Sequence, residues 1–145
     1  MKSRLRSYCG TLAKVVGFGC TVRVFNDYFY FLVKLEGQSM EPTFHTGDFV
    51  IGERYPRNVS YGNILVARSP SDPNEYVVKR LAGLPGDVKH FGFLSLSKIP
   101  EGHMWLEGDN ASVSKDSRVY GPVPQGLIVG RILYKVWPLS DVGAV

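Results

Sequence analysis

From Phe49 to Trp137 the chain is a succession of short apolar runs, each broken by a glycine or proline turn. Phe49-Val50-Ile51, Ile64-Leu65-Val66-Ala67, Tyr76-Val77-Val78, His103-Met104-Trp105-Leu106 and the long run Gly126 to Trp137 all carry strand character. A weaker run extends from Phe91 to Leu96. Thr46-Gly47-Asp48, Tyr61-Gly62-Asn63, Leu84-Pro85-Gly86-Asp87 and Gly108-Asp109-Asn110 supply turns between them. No amphipathic helical stretch intervenes, which excludes alternating βαβ units. The pattern predicts a mostly β fold, an antiparallel or barrel-like β domain.

The 145 residues suit one modest domain with an appendage, and 44% hydrophobic residues can supply a packed core. The net charge of +4 is unevenly placed. Residues 1–34 hold six basic side chains against Asp27, a balance of +5, whereas the rest holds 11 basic and 12 acidic, a balance of −1. A nucleic-acid partner would want the basic face on the folded part, so this distribution weighs against that class and none is expected. Tyr8 to Val33 is apolar and aromatic but is interrupted by Lys14, Arg23 and Asp27. It reads as an N-terminal hydrophobic helix: a membrane anchor, an interfacial helix on a lipid bilayer, or a helix packed on the domain. The boundary is set at 34/35, with residues 35–145 as the β domain. Cys9 and Cys20 both fall in the N-terminal segment and read as free thiols, and the three histidines lack metal-site spacing, so neither metal nor cofactor is expected.

Three stretches carry candidate chemistry. In Gly37-Gln38-Ser39-Met40-Glu41-Pro42-Thr43, proline and glycine force a bent backbone that can present the Ser39 hydroxyl, although an ordinary turn uses the same residues. Lys79 follows Val77-Val78 in an apolar strand, with Arg80 on the opposite face. If Lys79 faces inward, burial lowers its pKa toward that of a usable base; if outward, the pair is ordinary strand surface. The polar stretch Gly108 to Arg118 can hydrogen-bond a buried amine or simply form a surface loop.

Together these stretches, with Lys79-Arg80-Leu81-Ala82-Gly83-Leu84-Pro85-Gly86-Asp87 and Asp116-Ser117-Arg118-Val119-Tyr120-Gly121 read in full, resemble the motif set of type I signal peptidases, in the same order and over nearly all of residues 35–137. The short chain, Gly126 to Ile132 and Trp137 to Asp141 are most similar to the mitochondrial inner membrane branch of that family, which lacks the large second domain of bacterial members. The resemblance implies a serine endopeptidase with Ser39 as nucleophile and Lys79 as general base, a variant of the serine-protease constellation. It implies that Ser114 hydrogen-bonds the lysine, that Asp116 and Arg118 form a supporting ion pair, and that Met40 packs nearby. Gly37 stands where many bacterial members carry a serine that helps bind the oxyanion. The implied substrates are precursor proteins with signal or sorting segments. The implied partner is a homologous second subunit, and the implied setting is the inner membrane with the catalytic domain in the intermembrane space.

Three rivals stand beside this reading. His45 lies near Ser39, but Glu41 occupies the last position of a Gly-x-Ser-x-Gly elbow. A self-cleaving Ser-Lys repressor needs a DNA-binding domain for which residues 1–34 are too few and too apolar. A catalytically silent β scaffold leaves Ser39, Lys79 and Ser114 without a role.

Overall fold

The computed structural model describes residues 14, 17–21, 23, 28–91 and 95–145. The helical residues before the sheet are 14, 17–21, 23, 28 and 29, and among the described residues no helix is long and apolar enough to cross a membrane. Cys20 is a free, exposed thiol. The expectations for Cys9 and Asp27 lie outside the described residues.

Among the described residues ten strands follow: β1 (Tyr30–Lys34), β2 (Phe49–Arg54), β3 (Ile64–Arg68), β4 (Tyr76–Gly83), β5 (Val88–Phe91), β6 (Ser95–Lys98), β7 (His103–Glu107), β8 (Val123–Pro124), β9 (Ile128–Trp137) and β10 (Gly143–Ala144). A short helix, α1 (Ser117–Tyr120), precedes β8. Eight strands make one antiparallel sheet in the order β1-β2-β9-β3-β4-β7-β8, with β10 added on β9. The predicted β class is therefore observed. β1 lies within the residues assigned from sequence to the N-terminal segment, yet it pairs with β2 from Tyr30↔Glu53 to Lys34↔Phe49. Tyr-Phe-Leu-Val serves a strand as readily as a helix end, and short apolar runs do not distinguish the two. The run Phe91 to Leu96 is likewise divided. β5 and β6 form a separate hairpin, with Phe91 opposite Ser95.

Both faces of the sheet are covered. Leu35, Met40, Phe44, Val50, Ile64 and Ile132 form one buried cluster, with Phe31, Val66 and Val78 packed on it. Leu65, Ala67, Leu81, Met104, Leu106 and Val123 form the second. Ile64 and Leu65 enter different clusters because successive side chains of a strand point to opposite faces. This explains why β3 reads as a continuous apolar run. Register shifts between Val66/Ala67 and Leu81/Gly83 bend β3 and β4. Beyond its first half, β4 exchanges partners: Tyr76 to Arg80 pair with β3, but only Arg80 to Gly83 pair with β7. One edge of Tyr76–Lys79 is therefore open, and it lies beside the Ser39 turn.

Candidate active site

The Ser39 turn hangs between β1 and β2. Gly37 has φ +92°, and a Cβ there would meet nothing within 4 Å, so its backbone angle, and not crowding, calls for glycine. Met40 is buried in the core and accepts, through its carbonyl, the Phe44 amide at 2.9 Å. The Glu41-Pro42 bond is cis. No described hydrogen bond uses the Ser39 amide. Its carbonyl accepts the Asn110 amide at 3.1 Å.

Lys79 shares the buried face of β4 with Leu81 and Gly83 and is only 4% exposed. Its Nζ lies 2.7 Å from Ser39 Oγ and donates to the Val78 carbonyl at 3.1 Å. Burial is the largest influence on this amine and depresses its pKa below 10.5; the Asp116 carboxylate opposes the shift, Arg118 adds to it and Asp109 opposes it. A lysine so placed favours the neutral amine far more than a solvated one does.

The polar stretch folds over the Ser39–Lys79 pair. Asp116 is fully buried and caps α1. It accepts from the Gly108 amide at 2.8 Å, Ser114 Oγ at 2.6 Å and Arg118 Nε at 2.9 Å. Burial by itself raises the Asp116 pKa, but the bonds from Arg118, Gly108 and Ser114 outweigh it and hold the carboxyl below its usual range. On the other side of β4, Arg80 grips Asp109 through Nε at 2.9 Å and Nη2 at 2.7 Å. Thr43 Oγ1 donates to the same carboxylate at 2.6 Å. Gly108 has no room for a side chain. A Cβ would fall 2.6 Å from the Ser39 carbonyl oxygen and 2.1 Å from Ser114 Oγ.

Beside the dyad opens a cavity of about 330 Å³. Val33 to Gly37 line one wall and Tyr76 to Lys79 the other, with Met40 and Phe44 at the base. Val33–Lys34 of β1 and Tyr76–Lys79 of β4 each present an unpaired strand edge to the cavity, a geometry that accepts a further strand.

The sequence matches the family described as "Signal peptidase, peptidase S26" over residues 6–92 and 88–137. It is 44% identical to human "Mitochondrial inner membrane protease subunit 1" across 96% of this chain and 91% of that protein. The Schizosaccharomyces pombe protein of the same name is 40% identical across 86% of this chain and 84% of that protein. A Danio rerio "Mitochondrial inner membrane protease subunit 2" is 36% identical across 79% of this chain and 68% of its own length. The chain belongs to the signal peptidase S26 family. It is accordingly a serine endopeptidase of the signal peptidase class.

Within this signal peptidase the fold brings Ser39, Lys79, Ser114, Asp116 and Arg118 to one place. The Ser114 hydroxyl donates to Asp116, and none of the described bonds joins it to Lys79. His45 is exposed, its amide bonded to Asp48 Oδ2 at 2.9 Å, and no described bond carries its ring to Ser39. Sequence reasoning did not pick out the Thr43–Asp109–Arg80 clamp, because Arg80 and Asp109 lie 29 residues apart and meet only in the fold. Nor did it single out Lys135, which is 4% exposed and binds the Thr43 carbonyl at 3.0 Å, Asp48 at 2.8 Å and Asp141 at 2.7 Å. That lysine ties the far side of the serine turn to β9.

Proposed function

We propose that this chain cleaves signal or sorting segments from precursor proteins at the mitochondrial inner membrane through a Ser39–Lys79 dyad. The observation that carries this reading is the 2.7 Å approach of a buried lysine amine to a serine hydroxyl held on a non-helical turn. Neutral Lys79 takes the Ser39 Oγ proton as Oγ bonds to the scissile carbonyl carbon. The ammonium so formed protonates the leaving amine as the C–N bond breaks, leaving an ester on Ser39. Water, deprotonated by Lys79, then hydrolyses the ester and restores both residues. The Ser39 amide, with no acceptor among the described bonds, is suited to receive the oxyanion. The substrate lies as an extended strand between the open edges at Val33–Lys34 and Tyr76–Val78.

Asp116 and Arg118 support the lysine's surroundings, Ser114 joins them by its bond to Asp116, and Met40 seats the turn in the core. The residues before Tyr30 act as the membrane-associating segment, and residues 30–145, with β1 as an edge strand of the sheet, as the catalytic domain. The basic residues before Tyr8 stay on the matrix side, by the charge bias of membrane segments, and place the catalytic domain in the intermembrane space. A homologous second subunit is the expected partner, in keeping with the names of the relatives.

Cleavage of a precursor peptide by the wild type, Ser39→Ala and Lys79→Ala, each with and without the second subunit, tests this function. Loss in both folded variants supports the dyad. Residual cleavage by folded Lys79→Ala at the wild-type rate refutes it.

A further inference from the structure

A second cavity, of about 620 Å³, lies at the opposite end of β1 from the Ser39 turn. Tyr28, Tyr30, Arg54, Tyr55, Arg57 and Arg131 line it, together with Glu53. Its ionic lining is three arginines against one glutamate. Arg131 is committed: its Nη2 lies 2.6 Å from Glu53, and Nη1 donates to the Asn58 carbonyl at 3.1 Å. Arg54 and Arg57 have no carboxylate partner among the described residues. The Arg54 guanidinium stacks 5.8 Å from the Phe31 ring centroid, and its Nε is shut off from solvent without an acceptor. Both arginines line this cavity, and guanidinium groups without a carboxylate partner match a phosphate, which takes paired N–H donors.

We propose that this cavity binds the phosphate of an anionic phospholipid headgroup, held by Arg54 and Arg57. A bare phosphate ion would fill little of such a volume, whereas a headgroup with its glycerol fits the range of small-molecule sites. The cavity adjoins Tyr28, 69% exposed, at the point where the apolar N-terminal stretch meets the sheet. Tyrosines concentrate at headgroup level, and basic pockets beside membrane segments recognise anionic lipids. The inference rests on the reading of the segment before Tyr30 as membrane-associating.

The test is flotation of the full chain with phosphatidylcholine vesicles, with and without a minor fraction of phosphatidylglycerol. Arg54→Gln/Arg57→Gln is compared with Lys2→Gln/Arg4→Gln, which removes the same charge from the N-terminal residues. General attraction to an anionic surface predicts equal losses of about thirtyfold in both variants. The headgroup site predicts a loss of phosphatidylglycerol-dependent binding in the pocket variant at least about tenfold beyond the other. Peptide cleavage and melting temperature in detergent stay at wild-type values. Should the double variant fold poorly, exposed Arg57→Glu carries the same comparison. Equal losses, or none in the pocket variant, overturn the site. Full suppression of the phosphatidylglycerol increment by millimolar inorganic phosphate at constant ionic strength overturns the lipid assignment in favour of a free-anion site. Binding to pure phosphatidylcholine reports the N-terminal association separately, so failure there refutes that reading without deciding the pocket.

Discussion

Gly108 and Ser39 are packed backbone against backbone: a Cβ on Gly108 would stand 2.6 Å from the Ser39 carbonyl oxygen. The neighbouring Asn110 amide donates to that same oxygen at 3.1 Å. The polar loop is therefore seated directly on the peptide of the proposed nucleophile. Gly108→Ala forces the two segments apart. The expected cost is about 1–3 kcal/mol, as for other overpacked sites. Cleavage should fall with the melting temperature, and thermal unfolding alongside a peptide assay checks both.

In the proposed mechanism, Lys79 exchanges stability for function. Its folded pKa lies below the unfolded value of 10.5, chiefly because of burial. Between those two values the unfolded chain holds a proton that the folded one lacks, so stability rises with pH across that window. Below the folded pKa the buried ammonium carries its desolvation cost. Lys79→Met should therefore be inactive yet more stable than the wild type near neutral pH, by urea denaturation. The wild-type kcat/KM should climb with pH as Lys79 loses its proton and level off below 10.5. A flat profile through neutral pH would separate Lys79 from the rate.

Asp116 behaves in the opposite sense. Its depressed folded pKa contributes stability that is present above its unfolded value of 3.8 and is lost as pH falls through the folded value. Asp116→Ala leaves the Gly108 amide and Ser114 hydroxyl without their acceptor, at a cost of about 1–3 kcal/mol. The variant should also lose part of the wild type's acid-induced decline in stability, which a denaturation series at descending pH measures.

Arg80→Lys keeps the charge and gives up the two-pronged grip on Asp109. A lysine cannot reproduce paired, planar donors, and kcat should fall by about tenfold with little change in melting temperature. The effect reaches the reaction through Thr43, which donates to the same carboxylate and sits four residues beyond Ser39. A kcat–KM split with peptide substrate distinguishes this from weakened binding.

Much of this site was legible in the order of residues. The bent Gly37–Thr43 segment and the lysine entering an apolar strand are local signals, and alternation put Arg80 on the face opposite Lys79. The strands announced themselves for the same reason, since Gly47, Gly62 and Gly86 mark the turns beside them. What escaped was whatever depended on distant partners. Lys135 resembles any strand lysine until Asp48 and Asp141 arrive beside it. Asp109 looks like a turn aspartate until Arg80 meets it. β1 was assigned to the preceding segment because its identity comes from pairing with β2, not from its own five residues. α1 was hidden in polar sequence, its start set by Asp116, whose side chain accepts the Arg118 amide.

The bonds around Ser39 join residues 40 apart to Lys79, 66 apart from Thr43 to Asp109 and 92 apart from Thr43 to Lys135. Contacts of such span close late, because each must first overcome the entropy of a long loop. A nascent or half-folded chain holds the serine and the lysine without their apposition. Proteolysis through the proposed Ser39–Lys79 pair thus requires the finished tertiary structure, and a chain still emerging from synthesis has the two residues without the means to use them.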